Sequence, residues 1–527
     1  MKPRFLNPMR RTILLFVFLA GATLRASDTP SSVAAPPSVA AQPPVGAQAP
    51  ATAPSSIAAE PPHAYSIVRV NVTNQPWDLF RPWGKRTPYS RRAVGAVLPN
   101  DRVLVTAELV ANANYLEFET PEGGQKVPAT VEAVDYEANL ALLKTDDEKF
   151  LKPFKPLDLS IAAVGDTLTV LQLETNGALL MTRGTMTNAE VARYPIDDST
   201  FLLYHLAATL QFRDAAFTLP VVKGEKLVGL VMRYESQSTN CDIVPAPIIE
   251  HFLRDVAQQP YKGFPRAGVA YASTRDPQLR RYSGLTEKTP GGVYTTELQK
   301  DGPAARAGIE LGDVLLRVDD VPVDQDGNYS DPVYGKISVS HLLSTRHFAG
   351  DDVKFTVFHK GAIRDCMVHL EHRAADQYAI EPYLIDHPPK FYILGGLVLE
   401  ELSRQYLKEW GPEWTKKAPE DLVFMDRNQA ELCPDEKQKV VFLSRVLPSD
   451  VTVGYEELHH LVITKINGQE IHALRDVPAA LAKASNGLHK IEFNGEPDTI
   501  YLDAKQVAET EPILTKAFQL PSLKRLD

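Results

Sequence analysis

Cysteine is scarce in this chain. Cys241, Cys366 and Cys433 are far apart, odd in number and form no CxxC pair. That spacing gives neither a disulfide framework nor a zinc site, so three buried or partly buried free thiols are expected, with no metal and no cofactor. A basic stripe is also missing. The formal charge is −10, from 56 Lys and Arg against 66 Asp and Glu, which argues against nucleic acid as a partner. The apolar run Thr12–Ala20 is too short for a comfortable membrane span, so no stable span is expected. No histidine occurs between His63 and His205, and no serine between Ser199 and Ser236. Those two gaps remove the commonest general base and the commonest nucleophilic hydroxyl from long stretches.

What is present begins with a targeting pattern. Lys2, Arg4, Arg10 and Arg11 form a basic lead, the run Thr12–Ala20 follows, and Ala22–Ala26 supplies small residues before Ser27. This predicts a signal peptide over 1–26 and a periplasmic or secreted protein; an uncleaved N-terminal anchor is the alternative. No cysteine follows the run, so a lipoprotein anchor is not expected. Residues 27–62 are rich in Ala, Pro and Ser and lack aromatics. Such a composition cannot offset the entropy of ordering, and proline holds it extended. A flexible, disordered linker is expected there.

A length of 527 residues suggests three or four domains. Between Ala64 and Val256 short apolar strands recur at 93–98, 102–106, 129–134, 140–143, 167–172 and 227–232, as in a β-barrel or sandwich. A helix is predicted from Pro247 to Val256, where Ile248, Ile249, Phe252 and Leu253 share one face. Further on, Asp301–Val323 reads DGPAARAGIELGDVLLRVDDVPV. Asp301 or Gly302 caps a short helix starting at Pro303, Gly308 stops it, Gly312-Asp313 turns, and Val314–Val318 forms a buried strand followed by a hairpin turn.

That helix–turn–strand–hairpin order resembles the centre of a PDZ domain of the kind attached to HtrA/Deg serine proteases. Residues 63–260 in turn resemble the trypsin-like double β-barrel of that family. The resemblance rests on Leu104–Val110, on Val134–Lys144, and on Gln211–Leu219 followed by Gly224–Gly229. In the family these segments carry the catalytic histidine, aspartate and serine. Here the corresponding positions hold Leu109, Asn139 and, in the best register, Asp214; a shift of one or two places Ala215 or Ala216 there. Leucine carries no proton, and an amide does not stabilise an imidazolium. Glu108 neighbours the histidine position, and Thr209 and Thr218 are hydroxyls without an evident base. His205 sits in an apolar strand and reads as structural. The resemblance therefore implies a barrel that has lost its catalytic triad.

The fold expected is mainly β with α+β modules, a trypsin-like double β-barrel followed by two PDZ-like domains at 261–373 and 374–527. This order is most like the plant-type Deg proteases. By the same resemblance, Phe264, Arg266, Ala267, Gly268 and Val269 form a carboxylate-binding loop. Val339, Leu342 and Leu343, on a helix predicted over 337–346, form the opposite groove wall. Val353–Phe358 and Asp365–Leu370 read as a hairpin around Gly361. In the second module, Leu402–Lys417 reads as a helical insertion, and His459-His460 as a solvated turn. The partners implied are polypeptide C-termini or unfolded proteins, within a homotrimer or larger oligomer. The functional expectation is an exported HtrA/Deg-like pseudoprotease that acts as chaperone, scaffold or regulator in envelope protein quality control. The alternative is an active serine-type endopeptidase of the family with a non-standard site.

Overall fold

Alternation of apolar and polar side chains builds the first half of the protein. In the computed structural model, described for residues 66–527 except 197–198, 212–216, 287–288, 290 and 434–437, thirteen strands precede the first long helix. The expected signal segment, the Ala/Pro linker and Asp214 lie outside the described residues. Strands β1 (Ile67–Asn74), β2 (Tyr89–Leu98), β3 (Arg102–Val105), β4 (Ala113–Glu119), β5 (Lys126–Pro128), β6 (Thr130–Asp135) and β7 (Leu140–Lys144) form one antiparallel sheet in the order β5-β4-β1-β2-β3-β7-β6. Its hydrogen-bonded path ends at β5 and β6. The next six strands close fully: β8 (Thr167–Leu173), β9 (Leu179–Arg193), β10 (Thr200–Ala207), β11 (Leu219–Lys223), β12 (Lys226–Glu235) and β13 (Asn240–Pro245) make a barrel in the order β10-β13-β12-β11-β8-β9. Closure removes the exposed edges that open sheets must protect.

Because side chains alternate along a strand, the first sheet is buried on both faces. Ile67 joins the core of the closed barrel, whereas Val68, Val70 and Val72 join a second cluster with Leu109, Phe118 and Phe150. Helix α1 (Ala107–Val110) lies over β7, and α2 (Ala246–Ala257) packs on β12 and β13. The sequence pattern placed α2 to within a residue at either end.

The chain then enters a five-strand path, β14 (Val269–Ser273), β15 (Val293–Leu298), β16 (Val314–Val318), β20 (Asp352–His359) and β21 (Ala362–His369), with β17 (Val321–Pro322) paired to β16 and β18 (Asn328–Asp331) paired to β19 (Gly335–Ser338). Helices α3 (Pro277–Tyr282), α4 (Pro303–Arg306) and α5 (Ser340–Arg346) fill the connections. Gly302 caps α4, and Gly308, at φ +85°, follows it in the left-handed region. Helix α5 is shorter than its sequence pattern suggests, since Ile337 belongs to β19. In the last module the helical insertion runs past Lys417. It comprises α6 (Arg404–Lys408), α7 (Trp414–Lys417), α8 (Glu420–Arg427) and α9 (Gln429–Leu432). His460 is not a solvated turn residue: it is half-buried, with its ring 5.4 Å from that of Trp410. All three cysteines are buried. Among the described residues no helix is long and apolar enough to cross a membrane.

The barrel and the next module share one core. The cluster that holds Leu168 and Val244 continues through Phe264, Ala304, Leu315 and Phe355. At the junction His251 of α2 is sandwiched between Phe264 and Phe348, at ring distances of 4.4 and 4.2 Å, and Phe201 meets Phe264 edge-on at 4.7 Å. Neither ring nitrogen of His251 has a hydrogen-bond partner.

Two expectations follow. Gly229 faces β13 so closely that an added Cβ would stand 2.4 Å from Ile243 Cγ2 and 2.5 Å from the Val244 carbonyl oxygen. Gly229→Ala should therefore lower stability by about 1–3 kcal/mol in chemical denaturation, and a neutral result would mean that β12 and β13 are not so closely apposed. Burial, then nearby Arg254, pushes the His251 imidazole down to about 4, with Asp351 opposing. The unfolded ring takes its proton near its ordinary value, the folded ring only near pH 4. As pH falls from 7 toward 4 the unfolded state thus binds more protons, and stability should fall by about 3 kcal/mol from this group. His251→Phe keeps the ring stack and should flatten that slope; an unchanged slope would remove His251 from the pH response.

Candidate functional site

Two places gather the candidate residues. The first is the cleft around α1. Leu109 is fully buried among valines and phenylalanines, and Asn74 holds the helix from below, its Nδ2 donating to the carbonyls of Leu109 and Ala111 at 2.9 Å each. Asn139 is fully buried at φ +53°, and its Oδ1 accepts the Glu108 N–H at 3.0 Å. Its Nδ2 is buried without an acceptor, an arrangement that costs about 1–3 kcal/mol. The amide thus positions the helix while leaving a donor unmet.

The other groups around this cleft are already engaged. The Glu108 carboxylate pairs with Arg91 at 2.8 Å, and the Arg91 guanidinium lies over the Phe217 ring at 4.2 Å. Thr218 is fully buried, and its hydroxyl is hydrogen-bonded to that of Thr106. Two histidine nitrogens in the second barrel are also committed. His205 Nδ1 meets Asp242 at 2.9 Å and Nε2 meets Glu190 at 2.8 Å. The hydrogen bond to Asp242 raises its pKa, burial opposes, and the bond to Glu190 raises it further. An imidazole that faces a carboxylate on each side has no nitrogen left to act as a base.

The second place is the groove beside β14. This strand is the edge of its sheet, so its outer backbone groups are the ones an incoming extended peptide would pair with. Phe264, Ala267, Gly268, Val269 and Tyr271 line one side of a cavity of about 750 Å³. Val339 and Leu343 line the facing wall, and Leu315, Val318 and Phe355 the base. Val339 and Leu343 are four apart and share a helical face. Leu342 lies about a quarter-turn away, so it leaves the groove and is buried in the core, 1% exposed. Gly268 has φ +69°, and a Cβ there would come within 3.1 Å of Gln299 Oε1. Arg404, Asp426 and Gln429 of the second module complete the rim.

Arg266 does not face open solvent. It donates to Glu137 Oε2 at 2.8 Å and to the Ser199 hydroxyl, both on the barrel. This partner could not be read from local spacing, since Glu137 lies 129 residues away. Its neighbours behave alike. The Tyr261 hydroxyl donates to Asp135, and the Tyr136 hydroxyl to Asp386. The sequence reading of the Val134–Lys144 segment turned on Asn139 alone; Asp135, Tyr136 and Glu137 beside it bond to the later modules.

A β-barrel body followed by an edge-strand groove in the first of two α+β modules defines a PDZ-bearing barrel protein. Two family models, each described as a PDZ domain, match residues 268–370 and 380–525. Protease Do-like 2, chloroplastic, of Arabidopsis thaliana is 25% identical over 88% of this chain and 75% of its own length. Putative protease Do-like 11, mitochondrial, of the same plant is 23% identical over 87% of this chain and 76% of its own. Among solved structures, "HtrA-type protease AlgW with decapeptide" superposes with a TM-score of 0.45 and 17% identity, covering 59% of this chain and 97% of the other. The chain thus carries two PDZ domains and is similar over most of its length to plant proteases of the Do-like kind.

The Arg266 bridge can be tested directly. The Glu137 side chain is 4% exposed and that of Arg266 34%. Removing one partner of a fully buried pair costs about 3–5 kcal/mol; with one side a third exposed, Arg266→Ala should cost on the order of 2 kcal/mol. It should also raise hydrogen exchange at Val269–Ser273. A cost no larger than that of Lys152→Ala, an exposed pair with Asp101, would exclude a holding role for the bridge.

Proposed function

We propose that this protein is an exported HtrA/Deg-like pseudoprotease that binds polypeptide C-termini or unfolded segments through its first PDZ module. It serves as chaperone, scaffold or regulator in envelope protein quality control, in a homotrimer or larger oligomer. The observation that carries this reading is the burial of apolar Leu109 where the base should stand. Around it, Thr218 and Glu108 are each engaged elsewhere. The peptide-binding part of the reading is supported by the edge position of β14, by the apolar groove between it and α5, and by the glycine at φ +69° in the preceding loop. The basic, apolar and small-residue order of residues 1–26 supports export.

Two measurements test it. Purified full-length chain should release no fragments from casein at 37 °C. Turnover that disappears on changing Asp214 or Thr218 to Ala would instead establish the endopeptidase alternative. Peptides that end in a free apolar carboxylate should bind, and Gly268→Trp should weaken them by at least about ten-fold, since the bulky side chain both strains a left-handed position and fills the loop. Unchanged affinity would move the ligand away from this groove.

A further inference from the structure

A second cavity, of about 1010 Å³, lies on the other side of the Arg266 loop. Four segments wall it: the approach to the first PDZ module, the turn and helix around α4, the Ala349-Gly350 turn, and the chain leaving β21. Lys262, Arg266, Lys300, Arg306 and Arg373 line it, against the carboxylates of Asp301 and Glu371 alone. Five cations against two anions is an excess of three positive charges, in a chain whose formal charge is −10. The concentration of cations here therefore runs against the overall balance.

Two of these cations are already satisfied, Arg266 by Glu137 and Arg306 by Glu371 at 2.6 Å. Lys262, Lys300 and Arg373 have no ion-pair partner among the described residues. Lys262 Nζ donates to the Ala349 carbonyl at 3.2 Å. The Arg373 guanidinium lies on the Tyr378 ring at 4.0 Å and donates one N–H to the Gln377 carbonyl at 3.0 Å, which leaves its Nε–H buried without an acceptor. His372 Nδ1 is buried and unpartnered at the same wall. An unmet buried donor such as the Arg373 Nε–H is rare and calls for a ligand or an ion. The cavity thus offers donors and positive charge in surplus and little to accept a proton or balance a cation. Its volume exceeds what one tetrahedral anion fills, and its cations approach from three separate segments. A ligand that met them together would need several anionic groups along one small molecule.

The geometry points to a binding site for a small polyvalent anion of the oligophosphate class, held by Lys262, Lys300 and Arg373. Planar guanidinium and mobile ammonium groups in combination suit phosphate oxygens. Arg266, Gln299, Lys300 and Arg373 line both this cavity and the peptide groove, so the two share a wall.

The test uses the full chain, with tripolyphosphate as the probe and isothermal titration as the readout. Tripolyphosphate should bind, more weakly as NaCl rises, and should raise the melting temperature. Lys262→Glu/Lys300→Glu should weaken it by at least about ten-fold, the order expected when two close charges are reversed. Both side chains are exposed, and Lys300→Ala, expected to weaken binding less, serves if the double variant does not fold. Lys505→Glu/Lys516→Glu, the same charge change on the helix Ala504–Ala517, should leave binding intact. Equal loss in that control, or undiminished binding in both cavity variants, overturns the site. Citrate should bind at least about ten-fold more weakly than tripolyphosphate; equal affinity overturns the oligophosphate class.

Discussion

One turn of five residues, Asp135–Asn139, carries the connections on which the arrangement of modules depends. All five are buried. Asp135 accepts from the Ala138 N–H at 2.7 Å, which closes the turn, and from the Tyr261 hydroxyl ahead of the first PDZ module. Tyr136 reaches Asp386 between the modules, and Glu137 reaches Arg266 in the loop beside the groove. Asn139 holds the backbone of α1. A buried polar group must be paired to be tolerated. Each of these side chains therefore fixes the position of its partner as well as its own. The barrel is joined to both later modules through this segment, through the shared apolar core around Phe264, and through pairs such as Tyr204–Tyr334, Asn112–Asp386 and Arg86–Glu409.

The same segment borders the cleft around α1. A triad needs a nucleophile, a base and an orienting carboxylate in one hydrogen-bonded row. Around α1 the corresponding space is filled by Leu109, by an amide that meets a backbone N–H, and by a threonine pair. Asp135, Tyr136 and Glu137, just before Asn139, are bonded to Tyr261, Asp386 and Arg266. These side chains contribute to stability and module placement, and the proposed binding falls to the edge strand β14 and the wall of α5.

Much of this was legible from the residues alone. Short apolar runs located β2, β3, β6, β7, β8 and β12, because strands with little exposed face leave a compact apolar trace between turns. The Gly-Pro-Ala-Ala…Gly-Asp stretch located α4 and β16, because capping and left-handed turns demand those residue types. Less was legible wherever a side chain's role depends on a distant partner. Arg266 read as a loop cation, but Glu137 decides its role. Leu342 read as part of a stripe with Val339 and Leu343, and a rotation of one residue carries it into the core. The insertion from Ser403 to Cys433 is built of helices of four to eight residues, too short to show a period, so its length was underestimated. The cations of the second cavity are scattered from Lys262 to Arg373 and form no local motif.

We propose that the protein engages polypeptide at the β14 groove and not at the cleft around α1. Hydrogen–deuterium exchange of the full chain, with and without a reduced unfolded protein, tests it most directly. The claim predicts new protection at Val269–Ser273 and Ser340–Arg346, none at Thr106–Val110 or Leu219–Lys223, and an intact ligand at the end of the experiment. Protection confined to the α1 cleft, accompanied by ligand fragments, would contradict it.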